Sequence, residues 1–425
     1  MITILLIIFG VFIVATVPVA YALGLSSMVW VVFSERVPLI MIPQRIFAGI
    51  DSFPLLAIPF FILAGQLMAT GGISTRLINV AQVLVGRFKG GLAYVNIVVS
   101  MLFAGITGSA TADTSSIGSV LIPAMKEKGF DSDFTVAVTA TSATIGIIIP
   151  PSIPMVIYGI LMNQSIGTLF IAGAIPGLMV GIILMLTSGF ISGKRDYPAG
   201  DAYSILETIK IMADGMLPLF TIVIVLGGII FGIVTPTEAA VMAVVYSFIL
   251  SVVVYRSVKI TDLPRLMMDT ILINGMVMLM VGTATIFSWI ITSQELPKEI
   301  GNFLLDTISN KYVMLMLFNL VLLFAGAVLD LTPAMIIFIP VLAPIAQYVG
   351  IDLIHFGVIA VVNLGIGLFT PPVGACLFVS CSIADISMRD SIRGFIPFYI
   401  GMFISLMLVT YLPALSLWLP SLLIN

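Results

Sequence analysis

Charged residues are scarce in this chain of 425 residues: they make up 9% of it, whereas 60% is hydrophobic. An ordinary soluble domain is about 25% charged. Together with a mean hydropathy of +1.24, the long apolar runs predict an all-helical, multi-pass membrane protein surrounded by lipid. The net charge of −3 and the lack of any basic run argue against nucleic acid as a partner.

Cysteine and histidine are scarce as well, with two and one in the chain. Cys376 and Cys381 lie in one apolar segment, where small core residues are their ordinary role. With the single His355 they do not supply the ligand spacing of a zinc site. The sequence also has no nucleophile–base arrangement, Walker loop or Gly-x-Gly-x-x-Gly phosphate loop, so we do not expect an enzyme.

One stretch, residues 105–118, is rich in glycine, serine and threonine although it lies inside apolar sequence. The apolar segments on either side are each too short to cross a bilayer, which takes about 20 residues. We therefore expect a re-entrant hairpin at about residues 92–125 with its tip at membrane depth. Irregular backbone persists there only when protein buries it or when it lines a wet cavity, so the tip predicts a binding site.

A second kind of interruption follows at about residues 134–161, a segment that is long enough to span the membrane. Gly146 and the pair Pro150-Pro151 lie in its middle. Two prolines remove two backbone donors and clash with the preceding turn, so we expect a broken helix with free carbonyl groups.

Both features return later, as a hairpin at about 312–348 and a broken helix at about 356–382 that contains Pro371-Pro372. Four ordered pairs mark the repeat: Pro18 and Pro236, 218 positions apart; Asp113 and Asp330, 217; Pro123 and Pro340, 217; and the double prolines, 221. Duplication explains such ordered pairs. We assign residues 1–193 to a first repeat, 194–214 to a cytoplasmic linker and 215–425 to a second repeat.

The placement of basic residues predicts that the two halves are inverted. Basic residues on both sides place both ends of the first hairpin in the cytoplasm, and five crossings in the second half then reverse its orientation. Arg36 and Arg45 would lie outside, against the usual bias. Residues 1–33 lack a basic n-region and a clear cleavage site, so we expect them to stay as one kinked helix or two short ones.

Three acidic residues have two alternative roles. A carboxylate inside a membrane is a functional candidate by default, which applies to Asp113 and Asp330. Each also precedes the second helix of its hairpin, and we expect both to cap that helix, a role that is compatible with a site. Glu238, after Thr235-Pro236, would be either buried between helices or a helix cap, and we expect the cap.

Four motifs carry a resemblance to a known family: Gly108-Ser-Ala-Thr-Ala-Asp-Thr-Ser-Ser116, Ile149-Pro-Pro-Ser152, Gly232-Ile-Val-Thr-Pro-Thr-Glu-Ala239 and Thr370-Pro-Pro-Val-Gly374. In combination they resemble the large membrane subunit of tripartite ATP-independent periplasmic (TRAP) transporters over essentially the whole chain. The resemblance implies an elevator-type fold of the ion-transporter superfamily. It also implies Na⁺-driven symport of an organic acid, such as sialic acid or a C4-dicarboxylate, across the bacterial inner membrane.

Two partners follow from the resemblance: a periplasmic binding protein that delivers the small organic anion, and a small membrane subunit of four helices. It also implies two Na⁺ sites. The first would comprise Ser109, Asp113, Gly146 and Ile149, and the second Gly326, Asp330, Gly367, Thr370 and Val373. The substrate would lie between the hairpin tips, at Ser109, Thr111, Thr114, Ser152, Thr332 and Pro372.

Two alternatives stay open. A stand-alone anion/Na⁺ symporter would need no binding protein. An intramembrane protease would use Asp113 and Asp330 as a catalytic pair, but paired hairpins and broken helices in an inverted repeat favour transport. Because the predicted site has no basic residue, helix N-termini and hydroxyl groups would hold an anion. The sequence leaves the particular acid, the Na⁺ stoichiometry and the oligomeric state open.

Overall fold

A computed structural model describes residues 2–34, 37–200, 203–308 and 310–423, and nearly all of them are helical. Eight helices in this part of the chain are long and apolar enough to cross a membrane. This confirms the all-helical, multi-pass fold class. Arg36 lies outside the described residues.

The described residues of the first half form ten α-helices: α1 Ile2–Val14, α2 Val19–Ser34, α3 Met41–Ile50, α4 Ala57–Thr70, α5 Ile73–Val85, α6 Gly91–Thr107, α7 Ala110–Glu127, α8 Ser132–Ala143, α9 Ile153–Leu161 and α10 Ile166–Lys194. The N-terminal segment is therefore two short helices. The first ends at Val14, and the second begins at Val19, directly after Pro18. Helix α3, residues 41–50, packs on α14 (Leu263–Ser293). There the Arg45 guanidinium lies 5.1 Å from the centre of the Trp289 ring, so the charge is partly covered.

The second half adds eleven helices: α11 Ile205–Ile222, α12 Gly228–Ile230, α13 Pro236–Phe248, α14 Leu263–Ser293, α15 Leu296–Thr307, α16 Lys311–Val328, α17 Leu331–Tyr348, α18 Leu353–Gly367, α19 Ala375–Ala384, α20 Met388–Tyr411 and α21 Ala414–Leu423. Helix α11 begins inside the predicted linker, where Ser204 and Glu207 form a capping box. A second capping box joins Thr235 and Glu238 at the start of α13, so the expected role of Glu238 is confirmed.

The two predicted hairpins are the pairs α6–α7 and α16–α17. Ser109 is the N-cap of α7, and its side chain accepts a hydrogen bond from the Ala112 N–H. Asp330 occupies the equivalent N-cap position of α17 but makes no side-chain capping bond. Asp113 lies one turn inside α7, so the expectation that it caps this helix is wrong.

This result also corrects the register of the repeat. Ser109 and Asp330 are 221 positions apart, the same spacing as that between Gly146 and Gly367 and between the double prolines. Asp113 and Asp330 are therefore not equivalent residues. The reason is that a helix start is defined by backbone geometry, and the same residue type can occur on either side of it.

The two broken helices are α8–α9 and α18–α19. Helix α8 passes into a 3₁₀ turn, Thr144–Ile147, before Pro150-Pro151, and Ser152 then caps α9. Helix α18 ends at Gly367, shortly before Pro371-Pro372. The halves interlock here, because α7, α8 and α9 pack against α17, α18, α19 and α20. The Tyr158 hydroxyl, for example, donates to the Leu353 carbonyl at 2.5 Å.

Hydrogen bonds join the segment after α10 to loops of the first half. Arg195 donates to Asp131 Oδ2 and to Asp133 Oδ1, both at 2.8 Å, at the start of α8. The Gly90 N–H donates to the Pro198 carbonyl, and the Gly200 N–H donates to the Gly86 carbonyl. Burial raises the pKa of the Asp133 carboxyl, but the hydrogen bonds and charge of Arg195 outweigh this effect, so the net pKa is below its ordinary value.

Candidate functional site

A cavity of about 380 Å³ lies where the two hairpin tips meet helices α4 and α14. Its polar side chains come from both tips and from α4: Thr107, Ser109, Thr111, Asp330, Thr332 and Gln66. Its apolar lining includes four residues of α14: Ile273, Met276, Val277 and Met280. Among the described residues that line it there is no lysine or arginine, so the cavity presents neutral donors, one carboxylate and apolar surface.

Glycine makes the first tip possible. Gly108 ends α6 with φ +62°, a left-handed conformation that other residues rarely adopt. A Cβ atom there would also lie 3.0 Å from the Pro151 carbonyl oxygen and 3.1 Å from the Ile153 nitrogen. The tip therefore packs directly on the break of the first broken helix. At Gly65 of α4, a Cβ atom would lie 3.1 Å from Thr107 Cα, so the tip also lies close to α4.

Asp113 is the most unusual polar group near the cavity. Its side chain is fully buried. Oδ1 accepts a hydrogen bond from the Thr107 hydroxyl, but Oδ2 has no partner among the described residues. Oδ2 faces Gly146, where the Cβ of any other residue would overlap with it. A buried, unpartnered carboxylate oxygen is energetically unfavourable unless a cation or a proton neutralises it, so this position fits a small cation.

Of the other residues of the first predicted Na⁺ set, Gly146 directly contacts Asp113. Gly146 belongs to the 3₁₀ turn between α8 and the double proline, where backbone carbonyls leave the regular helix pattern. Ser109 caps α7 one turn before Asp113. Ile149 packs against Gly177 of α10. The structure thus brings Asp113 and Gly146 into contact, with Ser109 and Ile149 at the adjoining turns.

Four of the five residues of the second predicted Na⁺ set lie at one junction. A Cβ atom at Gly326 would lie 3.3 Å from Gly367 Cα. The Thr370 N–H donates to the Gly367 carbonyl at 3.0 Å, and the Val373 N–H donates to the Ala327 carbonyl at 3.3 Å. Asp330, the fifth member, lines the cavity. The junction is rich in carbonyl groups, and in the described part of the chain no three histidine, cysteine or acidic side chains cluster as for a transition metal.

The predicted substrate residues divide into two groups. Ser109, Thr111 and Thr332 line the cavity. The other three do not: the Thr114 hydroxyl is buried and donates to the Ala110 carbonyl, and the buried Ser152 hydroxyl donates to the Ile147 carbonyl. Pro372 is exposed elsewhere on the second broken helix.

Sequence reasoning missed the wall opposite the tips. Gln66 of α4 and the residues of α14 were not among the candidates. Gln66 left a signal in the sequence, because it is the one amide in the apolar span Phe53–Thr70. The α14 residues gave no comparable signal in the sequence, since isoleucine, methionine and valine are ordinary in a spanning helix.

Membrane-spanning helices that enclose a cavity with polar groups from two hairpin tips, next to two broken helices, define a membrane transport protein. The family model described as "Tripartite ATP-independent periplasmic transporter, DctM component" matches residues 6–415. The chain therefore belongs to the TRAP transporter family, as a large membrane component. Members are transport permeases and not enzymes, so the predictions of family and of no enzymatic activity are confirmed.

Similar proteins agree with this assignment. The chain is 40% identical over 408 residues to the sialic acid TRAP transporter large permease protein SiaM of Vibrio cholerae, covering 96% of each chain. It is 36% identical over 435 residues to the C4-dicarboxylate TRAP transporter large permease protein DctM of Rhodobacter capsulatus, covering 98% of this chain and 99% of that one. The crystal structure of the YdaH transporter of Alcanivorax borkumensis has a similar fold, with a TM-score of 0.62 and 14% identity over 88% of this chain and 87% of that one.

Proposed function

We propose that this chain carries out Na⁺-coupled uptake of an organic acid across the bacterial inner membrane. A periplasmic binding protein would deliver the substrate, and a small four-helix membrane subunit would support the chain. The observation that carries the proposal is the cavity between the hairpin tips, with the unpartnered Asp113 carboxylate oxygen directly behind it. Relatives named for sialic acid and for C4-dicarboxylates support an acid of one of these classes.

Coupling follows from the position of Asp113 in the first hairpin. Thr107 and Ser109, on either side of Gly108, line the cavity, and Thr107 also bonds to Asp113. A Na⁺ ion held by Asp113 and the carbonyls near Gly146 would neutralise the carboxylate and fix this tip. The ordered tip then presents its hydroxyl and N–H groups to the substrate, so cation binding raises affinity for the acid.

The proposed movement of the transport domain rests on which helices form each side of the cavity. The tips and the breaks, which belong to α6–α9 and α16–α19, form one side, and α4 and α14 form the other. We infer that the first group moves as a body against the second, in an elevator motion, and carries substrate and Na⁺ together. The amphipathic helices α5 and α15, which precede the two hairpins, would be the arms that connect the two bodies.

Uptake into proteoliposomes tests the proposal. The chain would be reconstituted with its small subunit, the binding protein would be added outside, and labelled sialic acid and succinate would be supplied with and without an inward Na⁺ gradient. We expect uptake of an acid that requires the gradient and all three proteins. Uptake without the binding protein would support the stand-alone symporter instead, and uptake that is indifferent to Na⁺ would overturn the coupling.

A further inference from the structure

Gln66 is a polar residue that the two predicted Na⁺ sites and the hairpin tips do not use. It lies in α4, on the far side of the cavity from the tips, and is half-buried. A polar side chain in a spanning helix is unfavourable unless it has a partner or a function. Hydrogen bonding between helices is the ordinary explanation, and Gln66 makes one such bond.

That hydrogen bond involves only the oxygen of the Gln66 amide, Oε1. The Thr270 hydroxyl of α14 lies 3.1 Å from Gln66 Oε1, to which it donates, and 2.8 Å from the Leu266 carbonyl in its own helix. In the described part of the chain the Gln66 amide nitrogen donates to no group, and it is not among the buried atoms that lack a partner. The single Thr270 hydroxyl proton is thus shared between the Leu266 carbonyl and Gln66 Oε1, and the two N–H groups of Gln66, a residue that lines the cavity, stay unused.

The other residues that line the cavity indicate what these N–H donors could bind. In the part of the cavity wall that the structure describes, Gln66 is the only side chain with an N–H group, and Asp330 is the only ionisable one. An organic anion that enters this cavity meets no positive side chain. Its carboxylate requires neutral donors, and the tip hydroxyls and Gln66 are the side-chain donors available.

We propose that Gln66 is a specificity-determining residue that binds the substrate carboxylate from the α4 side, and that Thr270 is a positioning residue that orients its amide. This inference rests on the proposed function, since it assigns a role within the same transport cavity. A neutral amide suits this role because its N–H groups can donate hydrogen bonds to a carboxylate.

Kinetics of the reconstituted three-component system test the assignment, with labelled sialic acid and succinate as probes. The glutamate of Q66E still accepts the Thr270 hydrogen bond but replaces the N–H donors with negative charge. We expect KM for the transported acid to rise at least about tenfold, because hydrogen bonds to charged groups are strong. Q66L, which loses the donors and adds no charge, should raise KM by a smaller factor, and T270V by less still, with kcat nearly unchanged in both.

Q82E is the matched control. It makes the same chemical change on α5, outside the cavity, at a residue whose side chain accepts a hydrogen bond from the Tyr203 hydroxyl. We expect its KM to stay within about twofold of wild type. Wild-type uptake together with a Q66E or Q66L KM as low as that of Q82E would overturn the inference alone. No uptake by the wild-type system would overturn the proposed function and this inference with it.

Discussion

Gly326 of α16 and Gly367 of α18 bring the backbones of their helices into direct contact. A Cβ atom at Gly367 would overlap with the Gly326 carbonyl group, and a Cβ atom at Gly326 would lie 3.3 Å from Gly367 Cα. Small residues allow membrane helices to approach this closely. The contact fixes the second hairpin against the end of α18, at the break of the second broken helix.

Alanine at position 367 should therefore be poorly tolerated. The added methyl group has no space, and overpacking of this kind destabilises by about 1–3 kcal/mol. Thermal unfolding of purified G367A in detergent would measure the loss. Gly275 of α14 is the control, since a Cβ atom there has no neighbour within 4 Å. If G275A and G367A lost the same stability, the contact would not be the cause.

The pair Asp113 and Gly146 yields a second prediction. D113N removes the negative charge, and G146A places a methyl group against Oδ2. If a Na⁺ ion binds here, both variants should raise the Na⁺ concentration for half-maximal uptake by at least about tenfold, because contacts to charged groups are roughly twice as strong as neutral ones. Na⁺ titration of uptake measures this. The exposed Asp306 of α15 supplies the control D306N, and an unchanged Na⁺ dependence in D113N would contradict the assignment.

Acid should weaken the contact between Arg195 and Asp133. Because the folded pKa of Asp133 lies below the unfolded value of 3.8, its ionised form stabilises the fold above that pH. This contribution is lost as pH falls through the lower, folded pKa. Thermal unfolding between pH about 5 and about 2 should show a steeper loss for wild type than for R195M.

The control for this experiment is the exposed pair Lys89 and Asp196, whose side chains are 64% and 82% accessible. Solvent screens such a pair, so K89M should follow the wild-type pH profile. Should R195M and wild type lose stability in parallel as the pH falls, the acid sensitivity would have to come from other carboxylates.

A buried amide pair gives a fourth prediction. Asn363 donates to Asn319 Oδ1 at 2.9 Å, and Asn319 donates to the Thr410 hydroxyl at 2.9 Å, all three being fully buried. N319L removes the Oδ1 acceptor of the Asn363 amide, which keeps only its bond to the Asn319 backbone carbonyl at 3.0 Å, and it also removes the donor to the Thr410 hydroxyl. We expect it to destabilise by about 1–3 kcal/mol. The double variant N319L/N363L removes both polar groups and should recover part of that loss. Unfolding of both single variants and the double variant gives the coupling, and additive losses would show that the amides act independently.

The sequence predicted the hairpins and the broken helices because their signals are local. Short apolar segments around a polar tip and double prolines inside a span each act through the adjacent backbone. Helices α3 and α15 are harder to predict from the sequence. They are 10 and 12 residues long and contain charged residues, so they look like connections. The partner that covers Arg45, Trp289, is more than two hundred positions away in the chain. The inverted orientation of the two halves stays a prediction.

The site was less predictable, because it depends on contacts between distant segments. Residue type suggested that Asp113 matches Asp330, whereas the backbone aligns Ser109 with Asp330. The spacing of the double prolines already held the correct register, and a rule based on helix breaks would have found it. The role of Gln66 depends on Thr270, 204 positions later, and a sequence pattern carries no sign of such a pairing.

Helix α8 has a consequence for how the protein enters the membrane. It has only 12 residues, five of them serine or threonine, and protein buries every residue from Phe134 to Ala143. Such a segment is too short and too polar to partition into lipid on its own when it leaves the translocon. The helices that bury α8 include α20, and the ring centres of Phe398 in α20 and Phe134 in α8 are 5.9 Å apart. The packing around α8 is therefore complete only after α20, the last long helix, has been synthesised.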